Sequence, residues 1–132
     1  MPSTSVLLVD DNLAVLHHVR KMLGKGKDYQ VVGAISDGAL VVSEYLRLRP
    51  DVILLDISMG EQNGIEVARR LRDSGCTAKI IFLTVHEDSD YVSAAMGVGA
   101  SAYVVKSRLS LDLLSAIRAA LSNKLFMSPS LL

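Results

Sequence analysis

The chain has 132 residues, 50% apolar and 21% charged, which fits one compact domain and excludes both global disorder and two full-sized domains. Lys plus Arg and Asp plus Glu balance at 14 each, a neutral sum without the basic footprint of a nucleic-acid-binding domain. A single cysteine, Cys76, rules out an internal disulfide and points to a reducing cytoplasm. The start, Met1-Pro-Ser-Thr-Ser, lacks the basic-then-apolar pattern of a signal peptide, and no apolar run approaches the ~20 residues of a membrane span.

Five apolar runs of strand length follow one another: Val6-Leu7-Leu8-Val9, Val31-Val32-Gly33-Ala34, Val52-Ile53-Leu54-Leu55, Ile80-Ile81-Phe82-Leu83 and Ala102-Tyr103-Val104-Val105. Each is continuously apolar instead of alternating, the pattern of strands covered on both faces. Helical spacing fills the intervals: Leu16, Val19 and Leu23 share a face, then Ala39, Val42 and Leu46, then Ile65, Ala68 and Leu71, and finally Leu114, Ile117 and Leu121. Asp88 to Val98 is rich in small residues and only weakly periodic. Asp37-Gly38 opens the second helix and Pro50 follows it; Gly75 follows the third, and Ser110 with Asp112 is placed to cap the last. Strand and helix alternate five times, which implies right-handed crossovers and a single five-stranded parallel sheet with helices on both faces. Residues 1–123 read as one domain. Residues 124–132 read as a C-terminal tail or the start of a linker, because Ser128-Pro129-Ser130 interrupts any helix.

Ligand sites of such sheets lie beyond the carboxyl ends of the strands. There the runs deliver Asp10 and Asp11, Asp56, Thr84 and Lys106, while the second run leads only to Ser36-Asp37. Asp10 and Asp11 read equally well as a turn capping the first helix, and Asp56, Thr84 and Lys106 singly read as surface residues. Convergence of four strand ends favours a site. Three neighbouring carboxylates repel one another unless a cation sits among them. Oxygen ligands without His or Cys favour a hard ion such as Mg²⁺. Lys106 and Thr84 can hold phosphate oxygens, and a carboxylate in this setting can act as a nucleophile that forms an aspartyl phosphate.

The ordered set Asp10-Asp11, Asp56-Ile57-Ser58-Met59 with Gly64, Leu83-Thr84, Tyr103 and Lys106 resembles response-regulator receiver domains of two-component systems over essentially the whole chain. The stretch Leu83-Thr84-Val85-His86-Glu87-Asp88, the pair Gly99-Ala100 and the ending Phe126-Met127-Ser128-Pro129 resemble the NarL/FixJ branch. The resemblance implies a flavodoxin-like sheet of order 2-1-3-4-5 and a phosphoprotein acting in signal transduction and transcription regulation, not an enzyme acting on other substrates. It implies Asp56 as phosphoacceptor, with Mg²⁺ held by Asp11, Asp56 and the Ser58 carbonyl and, through water, by Asp10. Lys106 would pair with the phosphoryl group, and Thr84 would turn toward it as Tyr103 turns inward. Ser58 and His86, two residues beyond Asp56 and Thr84, are candidates for tuning dephosphorylation. Expected partners are a sensor histidine kinase or phosphotransfer protein and a second copy on activation. Neither nucleic acid nor membrane is an expected partner of this chain, although a C-terminal helix-turn-helix is usual in the branch.

Two positions depart from the pattern. Gly60 stands where Pro is frequent, which predicts a looser loop after Asp56, and Ser107 stands where Pro commonly follows the lysine. A haloacid-dehalogenase-type phosphatase would need a second acid where Ser58 stands. A flavodoxin-like carrier would need a Ser/Thr/Gly-rich first loop where Asp10-Asp11 would repel phosphate. A pure interaction module would have no use for the intact acid-Thr-Lys set. His17, His18 and His86 lack metal-ligand spacing and read as exposed, and Cys76 reads as an ordinary loop residue.

Overall fold

A computed structural model describes residues 3–24 and 27–131; Met1, Pro2, the Ser130 side chain and Leu132, which entered the readings of the two termini, lie outside the described residues. In chain order the elements are β1 (Thr4–Val9), α1 (Leu13–Leu23), β2 (Tyr29–Ile35), α2 (Val41–Leu48) and β3 (Val52–Leu55). A short pair follows, β4 (Ser58–Met59) and β5 (Gln62–Asn63), then α3 (Gly64–Asp73), β6 (Lys79–Thr84) and α4 (Ser89–Gly97). The chain closes with β7 (Ala102–Val105), α5 (Leu109–Leu121) and β8 (Phe126–Met127). The main sheet runs β2-β1-β3-β6-β7-β8, with every pairing parallel.

The five expected strands therefore stand in the order 2-1-3-4-5, but the sheet has six strands, not five. Phe126 and Met127, read from sequence as tail, pair with Ala102 and Tyr103. Two residues are too few for a periodic signal, yet they cover the β7 edge, whose bare N–H and C=O groups would otherwise face water.

Successive side chains of a strand point to opposite faces, and the core divides accordingly. Leu7, Val9, Ile53, Leu55, Ile80, Phe82 and Tyr103 pack on one face with Val41 and Tyr45 of α2, Val67, Ala68 and Leu71 of α3 and Ala95 of α4. Val6, Leu8, Val52, Leu54, Ile81, Leu83 and Val104 pack on the other with Val19 and Leu23 of α1 and Leu113, Ala116 and Ile117 of α5. The central strands are thus apolar at every position because both faces are covered.

Two helix faces differ from expectation. Helix α2 buries Val41 and Tyr45 and leaves Ala39 and Leu46 exposed, since a short 3-10 turn over Gly38–Leu40 precedes it and rotates the register. In α5 the buried stripe is Leu109, Leu113, Ala116, Ile117 and Ala120, while Leu114 is half-buried and Leu121 exposed. The expected cap of α5 is also corrected. Ser110 lies inside the helix with its hydroxyl 3.2 Å from His18 Nε2, and Asp112 is buried against Arg108 and Ser128. At α1 the cap is Asn12, whose side chain accepts from the N–H groups of Ala14 and Val15. Asp10 and Asp11 are thereby free of capping duty.

Candidate functional site

The carboxyl ends of β1, β3, β6 and β7 bring Asp10, Asp56, Thr84 and Lys106 to one edge of the sheet. Carboxylate oxygens of Asp10, Asp11 and Asp56 lie within 4.8 Å of one another, Asp10 and Asp56 buried and Asp11 exposed. Lys106 Nζ sits 2.8 Å from Asp10 Oδ2 and 3.2 Å from Asp56 Oδ2. Asp10 Oδ1 accepts from the Asn12 N–H and Asp56 Oδ1 from the Ser58 N–H. Despite the nearness of Lys106, Asp10 Oδ2 takes no well-aligned hydrogen bond among the described residues.

The cluster is electrostatically unbalanced, with three acids against one lysine. Burial, and then repulsion from Asp10, raise the Asp56 carboxyl to about 6 against the opposing pull of Lys106 and the Ser58 N–H. Burial works against the Lys106 ammonium, but its close contact with Asp10 and attraction to both acids hold its pKa above the ordinary lysine value. An all-oxygen donor set, three acids against one lysine and the raised Asp56 carboxyl together fit a hard divalent cation.

Glycine at position 64 allows this packing. A Cβ there would fall 1.9 Å from the carbonyl oxygen of Asp56, so only a glycine lets the start of α3 close against the Asp56 segment. Gly60 gives the segment after Asp56 a defined turn. At φ +60° it turns the two-residue connection between β4 and β5, a conformation proline cannot adopt, and the segment after Asp56 is an antiparallel hairpin pairing Ser58 with Asn63. Gln62 of that hairpin donates to Asp37 and accepts from the Gly38 N–H, and Asn63 caps α3.

Beyond Thr84 the contacts converge on His86. Its N–H donates to Thr84 Oγ1 at 3.1 Å, and its carbonyl accepts from the Tyr103 hydroxyl at 2.8 Å. Its ring lies 2.7 Å from Ser58 Oγ through Nε2 and stacks on Tyr91 at 4.1 Å between centroids. Tyr103 points inward and is fully buried; burial first, and then the negative charge of Asp88, push its phenol up to about 12. His86 is half-buried, not exposed as the sequence reading had it, whereas His17 and His18 are exposed. Sequence spacing singled out Ser58 and His86 but gave no sign of their pairing, which a 28-residue separation hides, nor of the Tyr91 stack.

The family model for the response regulator receiver domain matches residues 6–118. The chain is 40% identical over 114 residues to the nitrate/nitrite response regulator protein NarP of Escherichia coli, covering 86% of this chain and 53% of that protein. It is 32% identical over 130 residues to the nitrate/nitrite response regulator protein NarL of the same organism, covering 98% of this chain and 60% of that protein. The chain thus spans about half the length of the curated relatives it matches. Among solved structures, a LuxR-family two-component response regulator from Aurantimonas superposes with a TM-score of 0.92 at 31% identity, over 98% of this chain and 92% of that one. The isolated REC domain of RcsB from Salmonella enterica, solved in the presence of phosphomimetic BeF3-, superposes at 0.88 and 26% identity, over 98% of this chain and 96% of that one. The relatives are regulators by name, and the chain belongs to the response regulator receiver domain family, in its NarL/FixJ-like branch.

Proposed function

We propose that this domain is a phosphorylation-dependent signalling switch in which Asp56 accepts a phosphoryl group from a sensor histidine kinase or phosphotransfer protein. The observation that carries the reading is the gathering of Asp10, Asp11, Asp56 and Lys106 within contact range at the strand ends. In the transfer, the phosphorus–nitrogen bond of a phosphohistidine breaks as a phosphorus–oxygen bond forms on an Asp56 carboxylate oxygen. Asp11, Asp56 and the Ser58 carbonyl would hold Mg²⁺ directly and Asp10 through water. Bound there, the ion supplies positive charge against repulsion between the carboxylate and the incoming group.

Lys106 leaves its two carboxylates to pair with the phosphoryl oxygens, and Thr84 offers its hydroxyl to them. Tyr103, already seated inward on the His86 carbonyl, holds the β6–α4 segment in the arrangement that this shift favours. The added group brings about −1.5 to −2 charges, enough to bias a two-state surface. The output is homodimerisation and control of transcription, through a C-terminal helix-turn-helix such as the greater length of the relatives accommodates. Residues 1–123 carry the receiver's site, and 124–132, whose β8 covers the sheet edge, lead on toward the linker. No helix among the described residues is long and apolar enough to cross a membrane, and a cytoplasmic setting agrees with the lone, unpaired Cys76.

Incubation with acetyl phosphate should add one phosphoryl mass in Mg²⁺, none in EDTA and none in Asp56→Asn; a gain in the variant would move the acceptor elsewhere. Ser58, whose N–H donates to Asp56 Oδ1, holds His86 on its hydroxyl, and the pair is read as tuning the approach of water. His86→Ala should change the decay of the phosphorylated species by about threefold or more, and an unchanged lifetime would remove that role.

A further inference from the structure

Outside the acidic cluster, Ser128, Asp112 and Arg108, buried or half-buried, close a hydrogen-bonded ring with the backbone turn that carries Lys106. Ser128, at 0% exposure, lies just past β8. Its backbone N–H donates to the Tyr103 carbonyl at 3.0 Å, and its hydroxyl accepts from the Val105 N–H at 3.0 Å, so the side chain continues the ladder beyond the end of β8. The same hydroxyl donates to Asp112 Oδ2 at 2.8 Å. Asp112, at 5% exposure, accepts in turn from Arg108 Nε at 2.8 Å and Nη2 at 3.3 Å. Val105 and Arg108 flank the short turn that carries Lys106 and Ser107. Both ends of the turn are therefore fixed to one buried pair, Ser128 and Asp112, while Lys106 reaches from its middle to Asp10 and Asp56.

We propose that Ser128 and Asp112 are positioning residues for Lys106, and that β8 is the strand through which the acceptor site and the C-terminal end of the chain sense one another. The inference rests on the reading of Lys106 as the phosphoryl-binding lysine. Ser107 stands in this turn where proline would stiffen it, and the ring supplies by hydrogen bonds the restraint that a proline would supply covalently. Substituting Ser128 by Ala orphans the buried Val105 N–H and leaves Asp112 Oδ2 with Arg108 alone, and the turn relaxes to find other partners. Lys106 then samples more positions, and its grip on an anion at Asp56 weakens. The acids that hold the cation lie on other strands, and a less fixed Lys106 competes no better for them, so cation binding is not weakened. By linkage, an anion that engages Lys106 must in turn tighten Ser128.

The test is calorimetric titration of wild type and Ser128→Ala with Mg²⁺ alone and with beryllofluoride in saturating Mg²⁺, well below either melting temperature. The expected result is a beryllofluoride Kd raised roughly threefold to tenfold in the variant, with an Mg²⁺ Kd that does not rise. Equal beryllofluoride affinities would overturn the proposal, and so would a parallel loss of both affinities, which marks general loosening. On the wild type alone, beryllofluoride should slow hydrogen exchange at the Val105 and Ser128 amides relative to Mg²⁺ alone. Should Ser128→Ala not fold, unchanged exchange there overturns the proposal. A wild type that binds Mg²⁺ but never beryllofluoride overturns the phosphoacceptor reading instead, and this one with it.

Discussion

Asp56 carries its charge at a cost that only a cation or a proton relieves. Its carboxyl is raised to about 6 by burial and by Asp10, whereas in the unfolded chain it titrates at the ordinary value of 3.8. As pH rises from about 4 to about 6 the unfolded state releases its proton first, so metal-free stability falls across that window and is flat above it. Asp56→Asn removes the penalty. In EDTA the variant should melt above wild type at about pH 8, with the gap closing toward pH 4; a gap independent of pH would show that the charge is not the cause. Saturating Mg²⁺ should shrink the gap at about pH 8, since wild type gains the ion and the variant lacks one ligand. The acids of the site were legible in the sequence because each follows an apolar run by a fixed step. The caps were less so: Asn12 and not an aspartate closes α1, and Asp112 faces inward, because which of several adjacent polar residues meets the backbone depends on a turn of the chain that composition does not encode.

At the scale of elements, the β3–α3 connection is where sequence and structure part most. Proline-free and glycine-containing, it read as loose, yet the left-handed Gly60 makes it a tight hairpin and the bare Gly64 lets α3 seat on the Asp56 carbonyl. Gly64→Ala should therefore lower stability by about 3 kcal/mol, at the upper end for a small-to-large change, because the obstructing atom is backbone and cannot swing aside. It should also lower the rate of phosphoryl uptake, which chemical denaturation and phosphorylation kinetics would separate. The weak periodicity of 88–98 has a physical source: α4 buries only Ala95 fully and so needs no wide apolar stripe. The half-buried positions of β2 follow from its place at the sheet edge, where it pairs with β1 alone. Strands β1, β3, β6 and β7 were the most legible elements because burial on both faces demands an unbroken apolar run.

For the whole molecule, alternate residues of one sheet build two separate hydrophobic layers, α1 and α5 on one side and α2, α3 and α4 on the other. The acidic cluster sits at the rim where both layers meet the strand ends, so a change of charge there is felt by helices of both. Among the consequences of this packing is one for the single thiol. Cys76 lies under the end of α3, buried, with its N–H on the Leu71 carbonyl and its own carbonyl held by Arg72, which also grips Ala78 and Gly99. A reagent in solution reaches that sulfur only when the α3–β6 corner comes apart. The protein thus contains its own clock for local opening: the rate of thiol capture, with and without the acceptor occupied, times how often that corner breathes without any label being engineered into the chain.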